Sequence, residues 1–257
     1  DAPAGATAGT VLDVAVVRWP RVANFGDLDP LRAEPGVAVR WIRSPAELGR
    51  PQLVVLPGSK ATRDDLAWMR ASGLDAAVAA SGAAVVAICA GAQAVGDRIE
   101  DPDGVEGPPG VAEGLGWLPL RTTFAADKVL DRPRARAVAG PGAGAPVTTG
   151  YRIHHGRVRG DADPWLVDDG GTPVGWHGGR VCATTLHGLF ESDELRAGVL
   201  AWAAGQAGWP APELSGLRWA EVRGARFDAI ADLLEAHLDL DRVVDLIEQG
   251  APRAAAV

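Results

Sequence analysis

The sequence predicts an α/β fold with a mostly parallel central sheet flanked by helices, and three observations predict it. Short, almost wholly apolar runs recur through the first third of the chain: VLDVAVV (11–17), VAVRWI (37–42), QLVVL (52–56) and AAVVAI (83–88). The last two end at tight turns, Pro-Gly-Ser at 57–59 and Cys-Ala-Gly at 89–91. Helix-like segments lie between them. Apolar runs without alternation mark strands buried on both faces, the signature of a parallel sheet. Alternation with helices implies right-handed crossovers, and ligands in such sheets sit beyond the carboxyl ends of the strands.

Taken in order, DAPAGATAGT (1–10) is rich in small residues, lacks apolar periodicity and begins with Asp, so it reads as a linker-like segment of a longer polypeptide. The first strand, 11–17, runs into RWPRVANFGDLDPL, where Pro20, Gly26 and Pro30 break regular structure. After the second strand and a short SPAELG turn, the third strand ends at Gly58-Ser59. ATRDDLAWMRASG carries acidic residues early and Arg70 late, matching the dipole preference of a helix. LDAAVAAS is a second short helix leading to the strand before Cys89. From about 100 to 150 the pattern loosens into Gly/Pro-rich loops around strands near 120–124 and 134–138. GPGAGAP lacks the lysine and hydroxyl of a phosphate loop and reads as a hairpin or surface loop. VTTGYRIHHGRVRG (147–160) alternates, which would send His154 and His155 to opposite faces, so that only one faces a site. A strand near 180–186 precedes His187, and a helix is expected over 192–204. Residues 225–250 read as one or two amphipathic helices and 251–257 as a tail. The domain reading is therefore a main domain over 11–210 with the helices of 211–250 packed on it.

Composition excludes several classes. A net charge of −8 argues against a nucleic-acid binder. Any polyanionic ligand would need a local cluster such as Arg152, Arg157 and Arg159. Two cysteines, Cys89 and Cys182, cannot build a disulfide framework. No apolar run approaches the roughly 20 residues of a membrane span, and no signal peptide opens the sequence, which points to the cytoplasm.

The chemistry gathers at Cys89. A cysteine in a tight turn between a buried strand and a helix has the form of a nucleophile elbow, and the helix N-terminus favours its thiolate. A lone cysteine at a strand end is in most proteins an inert buried thiol, so partners decide the matter. His187, after a strand and within LHG, is the base. The N–H of Ala90 is an oxyanion donor, with Gly58 or Ser59 as the second; one such donor contributes on the order of 3 kcal/mol to the transition state. Gln93, one turn into the helix, can hold a substrate's polar end. Cys182 is expected to be buried and inert. A metal held by Cys89, His154 and His187 is disfavoured, because an elbow thiolate is poorly placed for a closed tetrahedral site.

ICAGAQAVG resembles the C-x-G-x-Q elbow of class I glutamine amidotransferases. With VVLPGSK, GYRIHHGRV, TTLHGLFESDELR, VLDVAVVRWPRVANFGDLDPL and GVAEGLGWL, it is similar to the cobyric acid synthase branch of that class over roughly residues 11 to 250. The resemblance implies a flavodoxin-like glutaminase domain, with Cys89 as nucleophile toward the glutamine side chain and His187 as proton carrier. It implies no cofactor in this chain. ATP and Mg²⁺ are expected on an N-terminal synthetase domain of the same longer polypeptide, which would amidate a corrinoid, adenosylcobyrinic a,c-diamide. Tyr151 and His154 match the GYxIHxG motif and are expected at the substrate. Many class I members carry a Glu two positions after the histidine; here that position is Leu189, as in the branch, and the third catalytic member stays unassigned. Ala90 stands where glycine is usual, which puts the oxyanion geometry in question if positive φ is needed there. Ala92 replaces an aromatic and is expected to leave room at the pocket wall. A related amidotransferase, acting on a cell-wall precursor or at the earlier a,c-diamidation, and a catalytically decayed binding module are the alternatives.

Overall fold

The computed structural model describes residues 11–250; the linker-like 1–10 and the tail 251–257 lie outside the described residues. The chain begins with β1 (Leu12–Val17), β2 (Val22–Ala23), a 3-10 turn (Phe25–Leu28), α1 (Asp29–Arg32), β3 (Val37–Ile42) and α2 (Pro45–Leu48). It continues through β4 (Leu53–Leu56), β5 (Gly58–Ser59), α3 (Thr62–Ala71), α4 (Leu74–Ser81), β6 (Ala84–Ile88) and α5 (Ala90–Ala94). Five strands follow: β7 (Arg98–Asp101), β8 (Gly110–Glu113), β9 (Leu120–Asp131), β10 (Ala135–Ala137) and β11 (Pro146–Val147). The remainder is β12 (Arg152–Gly160), β13 (Asp163–Asp168), β14 (Pro173–Gly178), β15 (Val181–Thr184), α6 (Asp193–Gln206), α7 (Trp219–His237) and α8 (Leu240–Gln249).

A nine-stranded sheet in the order β11-β10-β13-β14-β15-β6-β4-β1-β3 forms the centre. It is parallel from β3 through β1, β4 and β6 to β15. Beyond β15 it turns antiparallel, because β13, β14 and β15 are joined by tight turns too short for a crossover. The apolar runs are buried on both faces as their composition requires. In β1, Val14 and Val16 enter one core with Leu28 and Leu53, whereas Ala15 and Val17 enter the other with Met69 and Val78. GPGAGAP lies in the loop joining β10 to its antiparallel partner β11.

A four-stranded sheet, β12-β9-β7-β8, forms a further layer. Strand β9 extends to Asp131, past the expected 120–124, because β12 pairs with it along nearly its whole length. The ladder slips between His154 and Gly156. A two-residue ladder between β2 and β5 ties the segment after β1 to the Pro-Gly-Ser turn after β4. Contacts divide the chain into two compact units at Leu217/Arg218. The second contains α7 and α8, and Asp239 caps α8 by accepting from the Arg242 N–H at 3.0 Å.

Within the first unit, α6 is locked by a buried ion pair. Arg196 Nε donates to Glu34 Oε1 at 3.0 Å, both side chains 2% exposed, while Nη1 reaches the Phe190 carbonyl and Asp193. Removing one partner strands a buried charge. Arg196→Leu should destabilise the chain by about 3–5 kcal/mol, read as a fall in the urea midpoint at unchanged m. Pairing it with Glu34→Gln should restore part of the loss.

Candidate active site

Cys89 and His187 both follow parallel strands of the central sheet at their carboxyl ends. Cys89 follows β6 directly and caps α5, with φ 54° and ψ −108°. A non-glycine residue at positive φ is a strained exception, and here it turns the thiol out of the sheet toward the cavity. The turn is held by the Cys89 N–H on the Thr184 carbonyl at 2.8 Å and by the Gln93 N–H on the Cys89 carbonyl at 3.1 Å. Gly91 lets the helix press on β4: a Cβ there would lie 2.1 Å from the Leu56 carbonyl oxygen. The strain falls on Cys89, not on Ala90, which is helical. The expected conflict between alanine and a positive φ does not arise, and the Ala90 N–H stands among the helix-start donors that lack an intrahelical acceptor. Ala92, expected at the pocket wall, is fully buried in the core with Val54 and Leu56.

His187 follows β15 and is fully buried. Its Nδ1–H donates to Asp27 Oδ2 at 2.7 Å, and the Gly188 N–H holds Asp27 Oδ1 at 2.8 Å. Burial works to lower the imidazole pKa, but the hydrogen bonds to Asp27 and to Cys89 outweigh it and raise the value from 6.5 to about 10. Asn24, at φ 57°, places Nδ2 2.9 Å from Nε2. That contact suits the neutral ring; for the protonated ring, a half-turn of the amide presents Oδ1 instead. Asp27 thus stands where a third member would orient the ring, and the sequence reading missed both it and Asn24. Its one signal was the VANFGDLDPL segment, quoted for its resemblance but read as turns. Glu191, close to His187 in sequence, lies in the short 3-10 turn Leu189–Glu191.

The remaining expected residues divide. Tyr151 does not line the cavity at Cys89; it stacks on His187 with centroids 5.1 Å apart and exchanges backbone hydrogen bonds with it. Gly58 abuts the same ring: a Cβ there would meet His187 Cε1 at 3.0 Å. Ser59 turns its hydroxyl onto Asp65 and accepts from the Ala61 N–H at 3.0 Å, so its side chain serves the start of α3. An oxyanion role for this turn rests on backbone groups alone.

A cavity of about 540 Å³ opens at Cys89 and is lined by Ser59, Lys60, Gln93, Glu106, Lys128 and His154 among others. Gln93 is buried on its wall, its side-chain amide 3.0 Å from Thr62 Oγ1. Ile153, His154 and His155 all border this cavity, while burial alternates as a strand requires, with Ile153 exposed, His154 buried and His155 half-buried. Opposite them the ladder spreads, β12 from His154 to Gly156 facing the longer stretch of β9 from Val129 back to Phe124. His154 Nδ1–H donates to the Gly156 carbonyl at 2.8 Å, and its buried Nε2 has no partner. Desolvation, aided by Arg152 and Arg157, lowers its pKa to about 4, against the raising effect of the Gly156 bond. His154 is therefore a neutral ring with an unfilled acceptor.

Of the arginine cluster, Arg152 is engaged by Asp131 at 2.8 Å, and Arg157 donates to the carbonyls of His155 and Asp127. Both border a second cavity of about 390 Å³ together with Arg159. Cys182 is buried, and burial pushes its thiol pKa well up.

Residues 13–195 match the model of the CobB/CobQ-like glutamine amidotransferase domain. Cobyric acid synthase of Nocardia farcinica is 45% identical over all of this chain and 52% of its own length. That of Saccharopolyspora erythraea is 46% identical over 94% of the chain and 46% of its own length. The chain spans about half the length of the curated relatives it matches. Among solved structures, PurLQS from Thermotoga maritima superposes with a TM-score of 0.58 at 14% identity, covering 75% of this chain and 99% of that one. A glutamine amidotransferase gives 0.53 at 17% identity, covering 76% and 98%. Both support the fold.

The neutral His154 makes stability depend on acid. With a folded pKa depressed to about 4 and an unfolded value near 6.5, its contribution is present above pH 6.5 and lost as pH falls toward 4. His187, raised, is protonated in both states below 6.5 and adds no slope there. Between pH 6.5 and 5 the wild type should lose about 2 kcal/mol relative to His154→Gln, measured by urea unfolding at each pH.

Proposed function

Because the chain belongs to the CobB/CobQ-like glutamine amidotransferase family, we propose that its cavity hydrolyses glutamine and releases ammonia for a synthetase. The observation that carries this reading is the unit Cys89–His187–Asp27, set at the strand ends beside an open cavity. With the proton held on His187, Cys89 sulfur attacks the side-chain amide carbon. The Ala90 N–H receives the developing oxyanion. The C–N bond breaks as His187 Nε2 gives its proton to the departing ammonia, leaving a γ-glutamyl thioester. Water, losing its proton to His187, then attacks that carbon; the C–S bond breaks and glutamate leaves. Asp27 holds the ring in the tautomer this needs and stabilises it when charged. His154 Nε2 suits an amide N–H of the bound glutamine, and Gln93 forms the adjoining wall.

The similarity to cobyric acid synthases supports the further reading that the ammonia serves ATP- and Mg²⁺-dependent amidation of a corrinoid. Under this reading the synthetase domain lies N-terminal in the longer polypeptide, the protein works in the cytoplasm, and this chain alone hydrolyses glutamine without completing amidation. Among the described residues no helix is long and apolar enough to cross a membrane. Use on a cell-wall precursor or an earlier diamide is the runner-up, while the third member at Asp27 speaks against a decayed module.

Incubation with 6-diazo-5-oxo-L-norleucine and intact-mass analysis tests the nucleophile. One adduct is expected on the wild type and none on Cys89→Ala; an adduct that survives the substitution would contradict the reading. In steady-state ammonia release, Asp27→Asn should lower kcat by 10² to 10⁴-fold with little change in KM.

A further inference from the structure

Of 25 basic residues in the chain only two are lysines, Lys60 and Lys128. Both line the cavity that holds Cys89. They come from different elements: Lys60 directly follows β5 of the two-stranded β2-β5 ladder, and Lys128 lies on β9 of the four-stranded sheet. Both are exposed at the mouth, and among the described residues neither ammonium is paired with a carboxylate. The cavity also contains one fixed anion. Glu106 Oε1 accepts from Thr62 Oγ1 at 2.9 Å and Oε2 from the Arg63 N–H at 3.1 Å, which orients the carboxylate through the first turn of α3. Thr62 Oγ1 also lies 3.0 Å from Gln93 Oε1, so this carboxylate is joined to the elbow helix through one hydroxyl.

In a chain of net charge −8, two unpaired cations beside the nucleophile form a local anion site, and the oriented carboxylate beside them forms a cation site. A ligand that fills both while presenting a carboxamide to Cys89 carries a carboxylate and an ammonium of its own. We infer that Lys60 and Lys128 receive the α-carboxylate, and Glu106 the α-ammonium, of a free amino acid. The site thereby selects free glutamine over peptide-bound or α-blocked amides. This rests on the glutaminase reading and deepens it by naming the residues that read the end of the substrate remote from the chemistry. Ammonium groups suit a rim position, since lysine is a strongly hydrated point charge on a flexible stem. Contacts of this kind act on binding and are screened by salt.

The test is inactivation by 6-diazo-5-oxo-L-norleucine, which carries both α-groups, beside alkylation by iodoacetamide, which carries neither. The double variant Lys60→Gln/Lys128→Gln should raise the half-saturating concentration of the diazo compound at least tenfold. Its limiting inactivation rate and its iodoacetamide rate should stay within twofold of wild type. Raising ionic strength should weaken wild-type binding and leave the double variant nearly unchanged. L-Glutamine should protect Cys89, while L-glutaminamide and N-acetyl-L-glutamine should protect at least tenfold less well, and Glu106→Gln should narrow the gap for the N-acetyl compound. Equal labelling of wild type and double variant, or equal protection by glutaminamide, would overturn the assignment while leaving the glutaminase reading intact. If iodoacetamide modifies Cys89 but the diazo compound does not, the glutaminase reading falls and this assignment with it.

Discussion

The contact between Asp27 and His187 is the constraint on which the site depends. Both side chains are almost wholly buried, at 3% and 0% exposed, and they lie 160 positions apart in the chain. A buried carboxylate without a partner is costly, and here both oxygens are used, one by the ring and one by the Gly188 N–H. The contact exists only when β1 and β15 take their places in one sheet with β4 and β6 between them, so the base is oriented by the fold as a whole. Tyr151 and Gly58 confine the ring from other sides. A base held on this many sides is set up for proton transfer in a fixed geometry.

The elbow stores the complementary constraint. Cys89 takes the strained conformation, and the surrounding packing determines it: β6 is buried along its length and Gly91 rides against the Leu56 carbonyl. The strain orients the thiol, and the short helix behind it supplies the Ala90 N–H. On the wall of the cavity at the elbow stands neutral His154 with an open acceptor, while Lys60 and Lys128 are exposed. A neutral interior with a charged rim suits a substrate whose reacting amide is uncharged and whose other end is not.

Much of this was legible in the sequence, and the exceptions share a cause. The strands ending at Val17, Ile42, Leu56 and Ile88 could be read because burial on both faces leaves continuous apolar runs. Cys89 and His187 could be singled out because each follows such a run. Asp27 could not: within VANFGDLDPL an aspartate is indistinguishable from a turn former, and its role is defined by a partner 160 positions away. Likewise, the irregularity in β9 opposite HHG could not be read, because it is defined by the pairing of two strands and leaves no local mark in either. Ala90 and Ala92 were judged against a family pattern, but their place in the fold is set by the backbone: the positive φ belongs to the preceding residue, and Ala92 faces the core.

The account stands or falls on the state of His187. Nitrogen-detected NMR of imidazole-labelled protein across pH 5 to 11, in the wild type and in Asp27→Asn, reports that state directly. The account predicts a wild-type ring that stays protonated through neutrality, with Nδ1–H hydrogen-bonded and a titration shifted from 6.5 toward about 10. Loss of the Asp27 charge should bring the titration down. A ring that titrates near 6.5 in both proteins would contradict it.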